Sequence, residues 1–176
     1  MKDYEPPRTG SRLGPIMLIG MWVVVLGLMA LFFHGWMERQ GSPNQRVQGV
    51  ITDDGVREVV LSRNRYGHYT ATGTINGVPV EFMLDTGASD ISIPASVADG
   101  LGLERGRAVQ YRTANGIITG YSTRLHHVGL GTVEQTNVRA SINPFMTGDE
   151  VLLGMSFLGE LEFTQRDGEL TLRQQP

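Results

Sequence analysis

The sequence predicts an all-β domain, a barrel or closed sandwich with little helix, placed behind one long apolar helix. Three observations carry this. Short β runs from about Val56 onward are punctuated by the turn pairs Asn76-Gly77, Asn115-Gly116 and Asp167-Gly168, each between apolar or alternating segments, the strongest short-range signal for tight hairpins. Helical periodicity is nearly absent from the same region. Ahead of it, residues 16–33 (IMLIGMWVVVLGLMALFF) contain no charged side chain.

Residues 16–33 would rise about 27 Å as a helix, close to the ~30 Å hydrocarbon core of a bilayer. Pro15 suits a first helical position, and Trp36 suits the headgroup layer beyond the far end. A cleaved signal peptide is the rival reading, but the run is long for one and ends in Leu31-Phe32-Phe33-His34 rather than in small residues. Lys2, Arg8 and Arg12 precede the helix and only Glu38 and Arg39 follow it closely. That asymmetry predicts a cytoplasmic tail over 1–15, a transmembrane helix over 16–33 and a domain on the far side. Residues 34–55 are polar and turn-rich and read as a stalk, leaving 56–176 as the folded domain.

Within that domain Val78, Val80, Phe82 and Leu84 alternate toward one face, with Pro79, Glu81 and Met83 on the other. A short helix is expected over 94–101, opened by Pro94 and ended by Gly100 or Gly102, and a second helical turn after Gly154. The formal net charge of -3, with no run rich in lysine or arginine, lacks the footprint of a nucleic-acid binder. The absence of cysteine excludes disulfides, cysteine-ligated zinc, Fe–S clusters and a thiol nucleophile. Adjacent His126 and His127 would point to opposite faces of a strand, a poor geometry for one shared ion, so no metal site is expected.

Chemistry concentrates in Phe82-Met83-Leu84-Asp85-Thr86-Gly87-Ala88-Ser89. A carboxylate at the end of an apolar strand is costly to bury and needs hydrogen bonds to remain charged. The glycine permits a tight turn that aims backbone N–H groups at Asp85, and the Thr86 hydroxyl can brace it. Beside a second carboxylate, such a group would share one proton, giving one acid and one base able to activate a water against a peptide carbonyl.

This stretch resembles the active-site motif of the retropepsin-like aspartic proteases, and two further segments agree in order and spacing. Thr113-Ala114-Asn115-Gly116 is similar to the flap that covers bound substrate. Val151-Leu152-Leu153-Gly154 is similar to the hydrophobic-hydrophobic-glycine element that packs behind the catalytic turn. Gly67-His68-Tyr69, Ile75 to Val80 and the tail to Leu170 resemble the bacterial, membrane-anchored branch. The resemblance implies an acid-protease fold, Asp85 as the catalytic carboxylate, Thr86, Gly87 and Ala88 in support, Thr113 to Gly116 in the flap, and no cofactor. It also implies an inner-membrane location with the protease domain periplasmic or extracellular. The chain has no second Asp-Thr-Gly or Asp-Ser-Gly, so a two-carboxylate site needs a homodimer acting on a peptide or protein substrate. Retroviral members often place arginine after the late glycine to pair with an aspartate beyond the active-site turn. Here Met155-Ser156 follows Gly154 and position 89 is serine. The alternative from another class is a peptide- or partner-binding module that uses the same cleft without cutting.

Overall fold

The structure, a computed structural model, describes residues 13–41, 43–113 and 116–176, with the backbone alone at 13–16, 34–41 and 113. The chain divides into two units, Met1–Arg39 and Gln40–Pro176. Helix α1 spans Leu13–Gly41, and its described side chains, 17–33, are all exposed. Those described positions reach about 26 Å at ~1.5 Å per residue, and among the described residues no helix is long and apolar enough to cross a membrane.

The second unit runs β1 (Gly49–Ile51), β2 (Arg57–Ser62), β3 (Thr70–Ile75), β4 (Val78–Leu84), β5 (Ile91–Pro94), α2 (Ala95–Gly100) and β6 (Ala108–Thr113). It continues through β7 (Gly116–Leu130), β8 (Val133–Asn143), β9 (Glu150–Leu153), α3 (Met155–Leu158), β10 (Glu162–Arg166) and β11 (Glu169–Gln174). The architecture is mostly β with few helices, as expected. A four-stranded antiparallel sheet has the order β1-β2-β11-β10. A seven-stranded sheet has the order β3-β4-β9-β5-β8-β7-β6, and β3 also pairs with β7 through Thr74 and Ile75.

Turn chemistry explains the hairpins. Asn76 and Gly77 have φ of 51° and 82°, and Asp167 and Gly168 have 51° and 84°, the left-handed pairs that two-residue turns between twisted strands require. The alternation in β4 is realised where the strand crosses the core, with Val80 and Phe82 buried, while Val78 at its start is exposed. Phe82 packs in one apolar cluster with Ile91, Ile93, Ile142, Leu153 and Phe157. Fully burying such side chains contributes about 1.5–3 kcal/mol each. The short helices lie where sequence placed them, α2 starting after Pro94 and α3 directly after Gly154.

The segment expected as a stalk, 34–55, departs from that reading. α1 extends to Gly41, β1 pairs with β2, and Asn44 is buried. Its side-chain amide donates to the carbonyls of Ser62 and Thr70, each at 2.8 Å, and its Oδ1 accepts from Ser62 N at 2.9 Å. One side chain thus satisfies three backbone groups on β2 and β3. A polar stretch without apolar periodicity carries no sign of such a staple.

Candidate active site

Asp85 sits one residue past the end of β4, where the chain leaves the sheet. β4 runs parallel to β9, with Met83 beside Leu152 and Leu84 beside Leu153, so the predicted hydrophobic-glycine element lies directly alongside the predicted catalytic strand. The N–H of Asp85 donates to the Leu153 carbonyl at 3.2 Å, and that of Met155 donates to the Ala88 carbonyl at 2.8 Å. Between them passes Gly154. A Cβ there would stand 2.2 Å from the Asp90 carbonyl oxygen and 2.6 Å from that of Ala88, so only glycine lets the two segments approach this closely.

The turn directs its own N–H at the carboxylate, as the tripeptide predicts: Gly87 N donates to Asp85 Oδ1 at 2.8 Å. Thr86 and Gly87 are exposed, whereas Asp85 and Ala88 are half-buried. Asp85, Gly87, Ala88 and Leu152 border a cleft of about 370 Å³, closed on other sides by Tyr111, Ile118 and Ser141. β6 and β7 form the hairpin expected as the flap. Thr113 pairs with Gly116 at its end, and Ala114 and Asn115 lie outside the described residues. A wider hollow of about 700 Å³, lined by Arg105, Arg107, Arg124 and His126, does not reach Asp85, so size alone does not locate the site.

Two features escaped the sequence reading. The first is an ion pair behind the turn: Arg139 Nε on β8 meets Asp90 Oδ1 at 2.7 Å, with the Asp90 side chain only 11% exposed. Ser156 completes this brace, its hydroxyl donating to the Arg139 carbonyl at 2.8 Å and accepting from Ile91 N at 3.1 Å. The pair joins residues 49 apart in sequence rather than positions 89 and 155. Asp90, a second carboxylate lining the cleft, is thus held in an ion pair with Arg139. The second feature is Tyr111, which reaches from β6 to hydrogen-bond Ser141 on β8. Burial pushes its phenol above the ordinary value, the Asp90 charge adds to that, and Ser141 and Arg139 oppose it. A charged residue just after the turn was the only local signal for either feature.

With this geometry in hand, residues 71–160 match the model of the family described as "gag-polyprotein putative aspartyl protease". The chain belongs to this family of retropepsin-like aspartic proteases. The matched span holds Asp85, the β6–β7 hairpin and Gly154. A solved relative, a retropepsin-like aspartic protease from Rickettsia conorii, is 31% identical with a TM-score of 0.58, covering 73% of this chain and 96% of that one. The uncharacterized protein in the cobV 5' region of Sinorhizobium sp is 34% identical, over 88% of this chain and 72% of that protein. The uncharacterized protein RP867 of Rickettsia prowazekii (strain Madrid E) is 32% identical, over 88% of this chain and 69% of its own length. Among the described residues, Gly87, Ala88 and Leu152 line one cleft with Asp85, and the brace of Asp90, Arg139 and Ser156 joins β5, β8 and α3 beside it.

Proposed function

We propose that the protein is a membrane-anchored aspartic endopeptidase of the bacterial branch, in which two copies of the chain each supply Asp85 to one site. The observation that carries this reading is the held carboxylate: Asp85 at a strand end, bonded by Gly87 N and backed by Gly154, with a cleft in front of it. One carboxylate cannot act as both acid and base, and the chain has one such motif. Across a two-fold axis the two Asp85 side chains hold a water between them. The ionised carboxylate takes a proton from the water as its oxygen attacks the scissile carbonyl carbon. The protonated carboxyl gives its proton to the carbonyl oxygen, forming a tetrahedral diol, and proton return to the amide nitrogen accompanies breakage of the C–N bond. The β6–β7 hairpin excludes bulk water from the cleft.

Anchoring is supported by the uncharged run 16–33 and by the exposure of 17–33 along α1, since a helix apolar on all sides is not stable against water. Lys2, Arg8 and Arg12 support an N-terminus in the cytoplasm and a domain in the periplasm or outside the cell, with the inner membrane as its site. The test is incubation of the full chain in detergent with a mixed peptide library, read by mass spectrometry. Wild type cuts and Asp85→Asn does not. A wild type that binds peptides without cleaving any would overturn the enzymatic reading in favour of a binding module.

A further inference from the structure

The hollow of about 700 Å³ at the base of the β6–β7 hairpin is lined by Arg105, Arg107, Arg124, Arg139 and His126, with Glu104 as its one carboxylate. The chain as a whole carries a formal net charge of -3, so this concentration of cations is local. Two of the arginines are matched: Arg105 pairs with Asp99 and Arg139 with Asp90, each at 2.7 Å. The other two are not. Arg124 donates to the carbonyl and the side-chain oxygen of Asn137, both neutral, at 3.1 and 3.0 Å. The Arg107 side chain has no ion pair or hydrogen bond among the described residues, and Glu104 makes no ion pair there either.

Strand register makes this surplus costly. Arg124 on β7 stands directly across from Arg139 on β8, and like charges opposite each other in an antiparallel pair are destabilising. His126 is two residues beyond Arg124 on the same strand and so shares its face. The loop that carries Arg105 and Arg107 is clamped to β7: Gly106 N donates to Ser122 O at 2.8 Å and Ser122 N to Arg107 O at 2.9 Å. A Cβ at Gly106 would stand 2.6 Å from the Ser122 carbonyl oxygen, so glycine permits the clamp. A concavity in which guanidinium groups oppose one another carries an electrostatic cost that an anion relieves.

We propose that this hollow is an exosite for substrate, taking an acidic stretch of the cleaved polypeptide a few residues from the scissile bond. This rests on the peptidase reading above and names a class of substrate for it. The hollow adjoins the cleft at two points. Ser122 lines the hollow, and Ser141, directly across from it on β8, lines the cleft. Arg139 lines the hollow, and Asp90, bonded to it, lines the cleft. Arg139 and Ser141 are two residues apart on β8, about 7 Å along a strand, so an extended peptide leaving the cleft crosses the boundary within about two or three residues.

Carboxylates suit these cations, because the planar guanidinium donates to both oxygens of one carboxylate at once. The continuity with the cleft favours a peptide over a free anion. Arg105, Arg107 and Arg124 are exposed, and exposed ion pairs are weak one by one. An acidic stretch tethered through the cleft meets them at a high effective concentration, which a free phosphate group does not.

The test uses the full chain in detergent and a library peptide resynthesised with Glu-Glu, Gln-Gln or Lys-Lys at about two to six residues from the cut, on each side in turn. At low salt wild type cuts the Glu-Glu form about tenfold more efficiently than the Gln-Gln form, through KM rather than kcat, and the advantage shrinks at high salt. Arg107→Glu erases that advantage and favours Lys-Lys, yet cuts the Gln-Gln form at the wild-type rate, which shows that the variant is folded. A wild type indifferent to the three charges, or an acidic preference that Arg107→Glu and Arg124→Gln both leave intact, overturns the exosite while cleavage itself stands. Binding is read separately by fluorescence anisotropy on Asp85→Asn chains with and without Arg107→Glu. If wild type cuts no peptide but Asp85→Asn prefers Glu-Glu over Gln-Gln through Arg107, the peptidase reading falls and the hollow remains a site for acidic peptide. Neither cutting nor charge preference removes both. If calorimetry shows inorganic phosphate or glycerol phosphate bound through Arg107 while the peptides show no preference, the hollow takes a phosphate group and the exosite is overturned.

Discussion

Replacing Gly154 by alanine tests the central geometric claim, that the late glycine exists to let the chain pass under the catalytic turn. The added Cβ would lie 2.2 Å from Asp90 O and 2.6 Å from Ala88 O, both backbone atoms with no rotamer to escape into. Relief of the overlap requires a backbone shift of about 1 Å, since carbon–oxygen contacts become comfortable only a little above 3 Å. Overpacking of this kind costs about 1–3 kcal/mol. The shift also strains the bond from Met155 N to Ala88 O at 2.8 Å and that from Ile91 N to Ser156 Oγ at 3.1 Å, worth about 1 kcal/mol each. The sum, about 3–5 kcal/mol, is a large share of the 5–15 kcal/mol typical of a domain. Urea unfolding of the full chain in detergent, followed by circular dichroism, should show the midpoint falling by about 1–3 M. Cleavage should fall by about 10²-fold, the usual cost of misplacing a reacting group by 1 Å. Gly100→Ala is the control, since nothing lies within 4 Å of its Cβ position, and its stability should change by less than about 1 kcal/mol. A Gly154→Ala chain with the wild-type midpoint and rate would refute the close-approach argument.

Arg139→Ala should destabilise the chain by about 1–3 kcal/mol in urea, because it leaves the nearly covered Asp90 carboxylate without its cation; Asp90→Asn, which leaves no buried charge, should cost less. Tyr111→Phe should cost about 0.5–1.5 kcal/mol through the lost bond to Ser141. Because the folded-state pKa of Tyr111 is raised, its stabilising contribution is complete below the unfolded value of 10.0 and is lost as pH rises through the folded one. Wild-type stability should therefore decline more steeply than that of Tyr111→Phe above about pH 10, and identical alkaline slopes would count against it. In mixtures of wild type with Asp85→Ala under free subunit exchange, cleavage should follow the square of the wild-type fraction at constant total protein. A linear dependence would exclude a site built from two chains.

The elements legible in the sequence are those with local causes. Asn76-Gly77 and Asp167-Gly168 announce left-handed turns by composition, Pro94 marks the start of α2, and alternation in β4 identifies Val80 and Phe82 as core. Asp85 was legible because a carboxylate followed by a hydroxyl residue and glycine must bend back on itself, and the observed bond from Gly87 N is that bend. The stalk was misjudged because Asn44 owes its burial to Ser62 and Thr70, residues far along the chain that no window around it contains.

What the sequence by itself determined is therefore the local chemistry: a β-rich domain, its hairpin turns, one pre-organised carboxylate per chain, and an uncharged run ahead of them. Tertiary structure alone decided which distant groups meet. The parallel pairing of β4 with β9 brings Gly154 under Asp90, the pairing of β5 with β8 brings Arg139 to Asp90, and that of β7 with β8 sets Arg124 across from Arg139. The physical reason is range. Turn and strand preferences arise from sterics and hydrogen bonds within a few residues, whereas an ion pair or a backbone crossing depends on the register of strands far apart in sequence, which is settled only when the whole core packs.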